Sequence, residues 1–324
     1  MITFTFGNVI TRWSFDPLVV IGVVLAAVLY HIGNQATQHL LPPGHRLGPR
    51  RWKSAMFYTS LALVFLALES PLDYLSAYLM WAHMIQHLIL IMLVAPLSLL
   101  GDPALPLLRG LPLAFRRKAL ARITHWPPVQ ALAAAITWLC QPVRASVAFA
   151  LTLYAWHSRD LYNLTLRNAA VHDLEHVMFL GVSILLWSQV IDQTQFRCRM
   201  GYGARCVYVV VAAAENHLLS VVLALATSPI YAYAQLTARP GNLTALSDQQ
   251  IAGGIMWVPG MFLYGTAFVI FLFKWLKEQT LPNGVISLAD LKPASRGTVL
   301  LPRAEVHAAV VDVAADSGAL LGAK

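Results

Sequence analysis

Long apolar runs, broken by short basic or proline- and glycine-bearing segments, set the pattern of this chain. Pro17 to about Leu40, Trp52 to Leu68, Leu75 to Leu100, Pro142 to His157, Val171 to Ile191, Ala204 to Thr227 and Ile251 to Trp275 each read as a helix crossing a bilayer, which takes roughly 20 apolar residues. The fourth run is short. The apolar stretch before it, ending at Cys140, is too short to span alone and is expected to lie at the interface or to lead into it. The expected fold is therefore an all-α polytopic membrane protein, a bundle of about seven transmembrane helices. Residues 1–277 form the membrane domain. From Glu278 the composition turns to Pro, Gly and Ser, which predicts a largely flexible cytoplasmic tail over residues 278–324, with one short helix at Ala304 to Ala315.

The segments between the runs alternate in charge. Arg46, Arg50, Arg51 and Lys53 lie in one; Arg109, Arg116, Arg117, Lys118 and Arg122 in another; Arg197, Arg199 and Arg205 in a third; Lys274 and Lys277 follow the last run. The intervening segments are poorer in cations, with Glu69 and Asp73, then Arg159, Asp160 and Arg167, then Arg239 and Asp248. Lys and Arg accumulate on the cytoplasmic side, which predicts an N-terminus outside and a C-terminus inside. Composition agrees: of 324 residues 58% are hydrophobic and 12% charged, and mean hydropathy is +0.61, far from a soluble domain with about a quarter charged residues. The net charge of +8 would point to nucleic acid in a soluble protein. Here the cations sit at the ends of apolar runs, so no nucleic acid is expected and the partner is the lipid bilayer of a plasma (inner) membrane. No cleavable signal peptide is expected. Cys140, Cys198 and Cys206 have neither disulfide nor zinc-site spacing and read as inert reduced thiols.

The polar positions inside the apolar runs carry the chemistry. His83 and His87 lie in the third run, and His172 and His176, in HDLEH, open the fifth. A spacing of four puts both imidazoles of each pair on one helix face. Ionisable groups at membrane depth are costly and face a bundle interior or a cavity. His83 is expected about 12 Å below the outer end of its helix. His157 beside Trp156 reads as an interfacial pair, and His217 sits mid-run in Glu215, Asn216, His217. Two readings stay open: a polar packing network, or a metal or haem site. Imidazole suits copper, zinc, iron and nickel, and Met80, Met84 or Met256 would add thioethers that favour Cu(I). Glu175 would be a ligand or the acceptor that orients a histidine. HDLEH is not the zinc-protease pattern, because its acid stands at the fourth position. Asp248 and Gln249 would line a way in from the outer mouth or simply begin a solvated helix, and Gly253, Gly254 and Gly260 permit close helix contact. A b-type haem protein with opposed axial histidines and a copper or proton transporter with a histidine relay are the alternatives; a relay needs polar residues towards the cytoplasm, where only His31, Asn34, Gln35 and His39 of the first run stand out.

The stretch ESPLDYLSAYLMWAHMIQHLILIMLVAPLSLLGDP, followed in order by WHSRDLYN, HDLEHVMFL and DQQIAGGIMWVPG, resembles the multi-spanning CtaG family, assembly factors for caa-type cytochrome c oxidase. The resemblance covers most of the membrane portion but not the tail. It departs at Ser158, Arg159 and Asp160, where the family has a proline before its Leu-Tyr pair. This weakens the transfer of a role to His157, which is kept with Glu175, Met84 and Asp248 as a candidate for supporting the ligands or lining their entry. The resemblance implies a plasma-membrane protein that is not an enzyme and is needed to produce active oxidase. On it rests the expectation that His83, His87, His172 and His176 form a transient copper site, with His217 below. Copper would come from an extracytoplasmic donor and pass to the catalytic subunit of the oxidase.

Overall fold

Proline and acidic caps start the helices that frame the bundle. In the computed structural model, which describes residues 6–38, 50–193, 200–235 and 243–280, the first long helix, α1 (Pro17–Gln38), begins where the Asp16 carboxylate accepts from the Leu18 amide at 2.7 Å. The amide of Asp16 in turn donates to Glu69 at the far end of α2 (Arg50–Glu69), tying the two helix ends together at 2.7 Å. In the first turn of α2, at the end opposite Glu69, Lys53 pairs with Asp102 at 3.0 Å. All regular elements among the described residues are helical.

The third apolar run differs from its expected form. A short helix α3 (Pro71–Ser76), capped by Ser70 through the Leu72 amide, ends, and the backbone extends at Leu79 before α4 (Met80–Leu100) begins. The break exists because the buried Asp248 carboxylate accepts from the Met80 and Trp81 amides at 2.9 and 3.1 Å, satisfying first-turn donors that have no partner within their helix. His83 therefore sits in the first turn of a restarted helix, not deep along a continuous one. Past His87, α4 widens into a π-helical segment over Ile89–Val94. Pro96 has no N–H to give the preceding turn, and the Trp187 indole donates to the Ile91 carbonyl at 2.9 Å.

After α4, α5 (Ala104–Gly110) crosses α1 so closely that a Cβ at Gly33 would lie 1.8 Å from the Pro106 carbonyl oxygen, and one at Gly110 2.1 Å from that of Leu29. Next come α6 (Pro127–Leu139) and α7 (Pro142–Trp156), bent by 101° at their junction. They are followed by α8 (Arg159–Thr165), α9 (Ala169–Ser188), α10 (Tyr202–Ala224) and α11 (Ala245–Thr280). α1, α4, α9, α10 and α11 are long and apolar enough to cross a membrane, and α6 with α7 make a sixth crossing if taken as one. The protein is thus a multi-pass helical membrane protein. Leu18, Val143, Val177, Phe262 and Phe273 are exposed, as expected of side chains that meet lipid rather than water.

Met84, Phe149, Leu153, Phe179, Leu186 and Leu223 fill the centre of the bundle. Of the four glycines of α11, Gly253 backs onto Ala224 and Gly260 onto Asn216, whereas Gly254 and Gly265 have open space. Arg205, near the start of α10, makes two bonds to Asp192, at 2.7 and 3.0 Å, and one to the Val190 carbonyl beyond the end of α9. His39, His45, Arg46, Arg197, Cys198, Arg199, Arg239 and the tail from residue 281, with His307 and the expected helix at Ala304 to Ala315, lie outside the described residues.

Candidate metal centre

Three helix ends converge on one buried group of imidazoles. The Asn168 side chain caps α9 by accepting from the Ala170 amide at 3.0 Å, which starts the helix one turn before His172. Helical spacing then places His172, Glu175 and His176 within one arc of the helix surface. That arc meets the first turns of α4: the Nε2 atoms of His172 and His83 are 3.2 Å apart. Ring centroids stand 4.3 Å apart for His83 and His87, 5.8 Å for His83 and His176, and 5.4 Å for His87 and His176. The two histidine pairs face each other. Of the four, only His172 is half-buried; the others are inaccessible.

Glu175 is completely buried between the pairs, with Oε2 3.3 Å from His83 Nε2 and Oε1 3.6 Å from His87 Nε2. These are ion-pair distances without hydrogen-bond alignment, since both carboxylate oxygens have no hydrogen-bond partner among the described residues. Neither do both nitrogens of His87 and the Nε2 atoms of His157 and His176. Buried polar groups are nearly always paired because an orphan costs about 1–3 kcal/mol. Six such atoms lie on four neighbouring side chains, and a bound ion would pair several of them.

His157 is not the interfacial residue its neighbour Trp156 suggested. At the end of α7 it is buried, its ring 6.1 Å from that of His87. Its Nδ1 lies 2.8 Å from the Leu153 carbonyl. A carbonyl only accepts, so Nδ1 carries the proton and the Nε2 lone pair is left free.

Tyr162 of α8 has a role the sequence did not reveal: its hydroxyl is 3.0 Å from His83 Nδ1. Burial first, then the neighbouring Tyr233 and Glu175, push its phenol well above the ordinary range, so it remains a neutral hydroxyl. The Tyr231 ring packs tilted against it, 4.2 Å between centroids, and its hydroxyl donates to the His157 carbonyl, while Tyr233 donates to the Ser76 carbonyl. Phe179, 4.6 Å from the His87 ring, closes the inner side. Tyr162 lies in the motif WHSRDLYN and so was within reach of a sequence reading. Tyr231 and Tyr233 come from the α10–α11 connection, where no periodicity signals a contact.

The remaining sequence candidates lie elsewhere. His217 is half-buried on α10 and its Nδ1 bonds the Ala213 carbonyl of its own helix; it belongs to neither His/Glu ligand group among the described residues. Met84 is fully buried in the apolar core with Met80 and Met256. Asp248 and Gln249 of α11 are buried rather than solvated, Asp248 accepting from the Met80 amide at the start of α4 and Gln249 from the Ile230 amide at 2.7 Å.

The donor set fits a small metal ion. Two ligands held tetrahedrally at about 2.0 Å from an ion stand about 3.3 Å apart, and the spacings from His83 Nε2 to His172 and to Glu175 are 3.2 and 3.3 Å. His83, His172 and His176 form one compact ligand group; His83, His87 and Glu175 form another.

Comparison with known proteins agrees with the sequence resemblance. The family described as cytochrome c oxidase caa3 assembly factor matches residues 12–278. The chain is 26% identical over 280 residues to "Uncharacterized protein Mb0105" of Mycobacterium bovis and, equally, to "Uncharacterized protein MT0111" of Mycobacterium tuberculosis; the alignment covers 85% of this chain and 41% of each relative. The chain thus spans well under half the length of these relatives. No solved structure matches it. With a match that runs from ahead of α1 almost to the end of α11, the chain belongs to the cytochrome c oxidase caa3 assembly factor family.

Proposed function

We propose that this protein supplies copper to the catalytic subunit of a cytochrome c oxidase during assembly, holding the ion in the outer half of a plasma membrane. The carrying observation is the buried cluster of four imidazoles around Glu175: His87, His176 and Glu175 have atoms without a hydrogen-bond partner among the described residues, and His83 Nε2 stands at spacings suited to a small ion from His172 and Glu175. Copper here is cargo, received from an extracytoplasmic donor. Seven crossings, counting α2, with the N-terminal end of α1 outside and the C-terminal end of α11 cytoplasmic, put His172 at the outer mouth; the clustering of Arg and Lys at the opposite helix ends supports this orientation. Close ring packing favours a bare ion over haem, since imidazoles in edge contact at 4.3–5.8 Å leave no slot for a planar macrocycle. The test is to load the detergent-purified protein with Cu(I), wash it, and measure metal content and absorption. About one copper per chain without a Soret band is the expected result. A Soret band, or no retained copper, overturns the proposal.

Tyr162 should tune this site. With Nε2 of His83 turned to the ion, Nδ1–H donates to the Tyr162 oxygen, fixing tautomer and ring angle. Tyr162→Phe is expected to weaken copper binding about 10–100-fold, read by competition with a soluble Cu(I) chelator; equal affinities would remove this role.

A further inference from the structure

We infer that the cluster is two coordination positions sharing His83, filled by one ion at a time, with Glu175 drawing the ion from the outer to the inner one. This rests on the copper reading above. The outer position is made of His83, His172 and His176, all nitrogen, and includes the half-buried His172. The inner is made of His83, His87 and Glu175, all fully buried, with the free Nε2 of His157 facing the same interior. His83 Nε2 is a member of both groups, 3.2 Å from His172 Nε2 and 3.3 Å from Glu175 Oε2. Its other nitrogen is taken by Tyr162. A ring with one free lone pair binds one ion, so the positions exclude each other.

Transfer between them is a ligand exchange. His83 keeps its bond while His172 and His176 are replaced by His87 and Glu175. No electron moves, and no proton has to.

Charge gives the exchange a direction. A Cu(I) ion held by three neutral imidazoles keeps its full charge, tolerable beside the water-facing mouth. In the closed interior the same ion beside the Glu175 carboxylate makes a neutral group, which removes most of the desolvation cost of burying a charge. The inner position is then the resting place, and the outer one the point of loading and release.

The test uses the full-length protein in detergent, loaded with Cu(I). Copper stoichiometry, X-ray absorption of the bound copper, and the rate at which a water-soluble Cu(I) chelator strips it are measured for wild type, Glu175→Gln and His172→Ala. In wild type, one copper per chain with an oxygen donor among its ligands is expected. Glu175→Gln, which keeps side-chain size, should retain one copper with nitrogen ligands only and release it at least about tenfold faster. His172→Ala should load slowly yet hold its copper with the oxygen donor in place. Two coppers per chain, or wild-type ligand sets and stripping rates in both variants, overturn the two-position arrangement while leaving copper handling standing. Failure of the wild-type protein to retain any copper overturns both.

Discussion

Alanine at His83 alone is expected to abolish copper retention as fully as alanine at His83, His87, His172 and His176 together, a loss of more than about 100-fold in affinity. The reason is geometric. His172 and His176 come from one helix and His87 with Glu175 from two, but both sets close only around His83 Nε2. Remove that nitrogen and each set of three keeps two donors, too few to hold the ion against a soluble chelator. Any one of the other three histidines leaves one set whole, so His87→Ala or His176→Ala should keep measurable copper. Competitive titration of the five purified variants reads this directly. If His83→Ala binds no worse than His87→Ala or His176→Ala, the shared-ligand arrangement is wrong. Circular dichroism and elution volume guard against an unfolded variant, and His83→Gln, which keeps bulk and a polar tip, provides a second version of the same test.

Asp248→Ala should lower stability by about 3 kcal/mol or more, and copper affinity with it. Asp248 is completely buried on α11, yet both its oxygens serve α4, accepting from Met80 and Trp81. Hydrogen bonds to a carboxylate are worth about 1.5–3 kcal/mol each, and its charge meets the positive end of the α4 dipole. Without it, the Met80 and Trp81 amides are orphaned, the first of them buried, and the first turn of α4, the turn that carries His83, loses its anchor. Asp248→Asn keeps one acceptor oxygen and should lose about half as much. Thermal unfolding in detergent measures the first effect. Hydrogen exchange at the Met80 and Trp81 amides measures its location, and unchanged protection there in Asp248→Ala would show that α4 is anchored otherwise.

What was legible in the sequence follows from periodicity and hydropathy. Apolar runs long enough to span, with glycine and proline between them, mark the positions of α1, α4, α9, α10 and α11, because a backbone in lipid must satisfy its hydrogen bonds within a helix. The i, i+4 spacing of His83 with His87 and of His172 with His176 put each pair on one face, and the cost of polar groups in lipid implied that those faces turn inward. Motif order along the chain placed it in its family.

The rest depended on contacts between segments distant in sequence. Nothing local marks Leu79 as the point where the third run breaks, because the cap that restarts α4 is Asp248, 168 residues further on from Met80. Trp156 made His157 look interfacial; only the packing of α7 against α9 and α4 turned its ring inward. His217 has the same local character as the paired histidines, yet its Nδ1 bonds its own helix. A sequence by itself determined which face of each helix is polar, since that depends on the spacing of side chains along one helix. Which faces meet was decided by the tertiary structure, since it depends on how side chains from α4, α7, α8 and α9 fill a common space, and that packing brings His83 within reach of both His172 and Glu175.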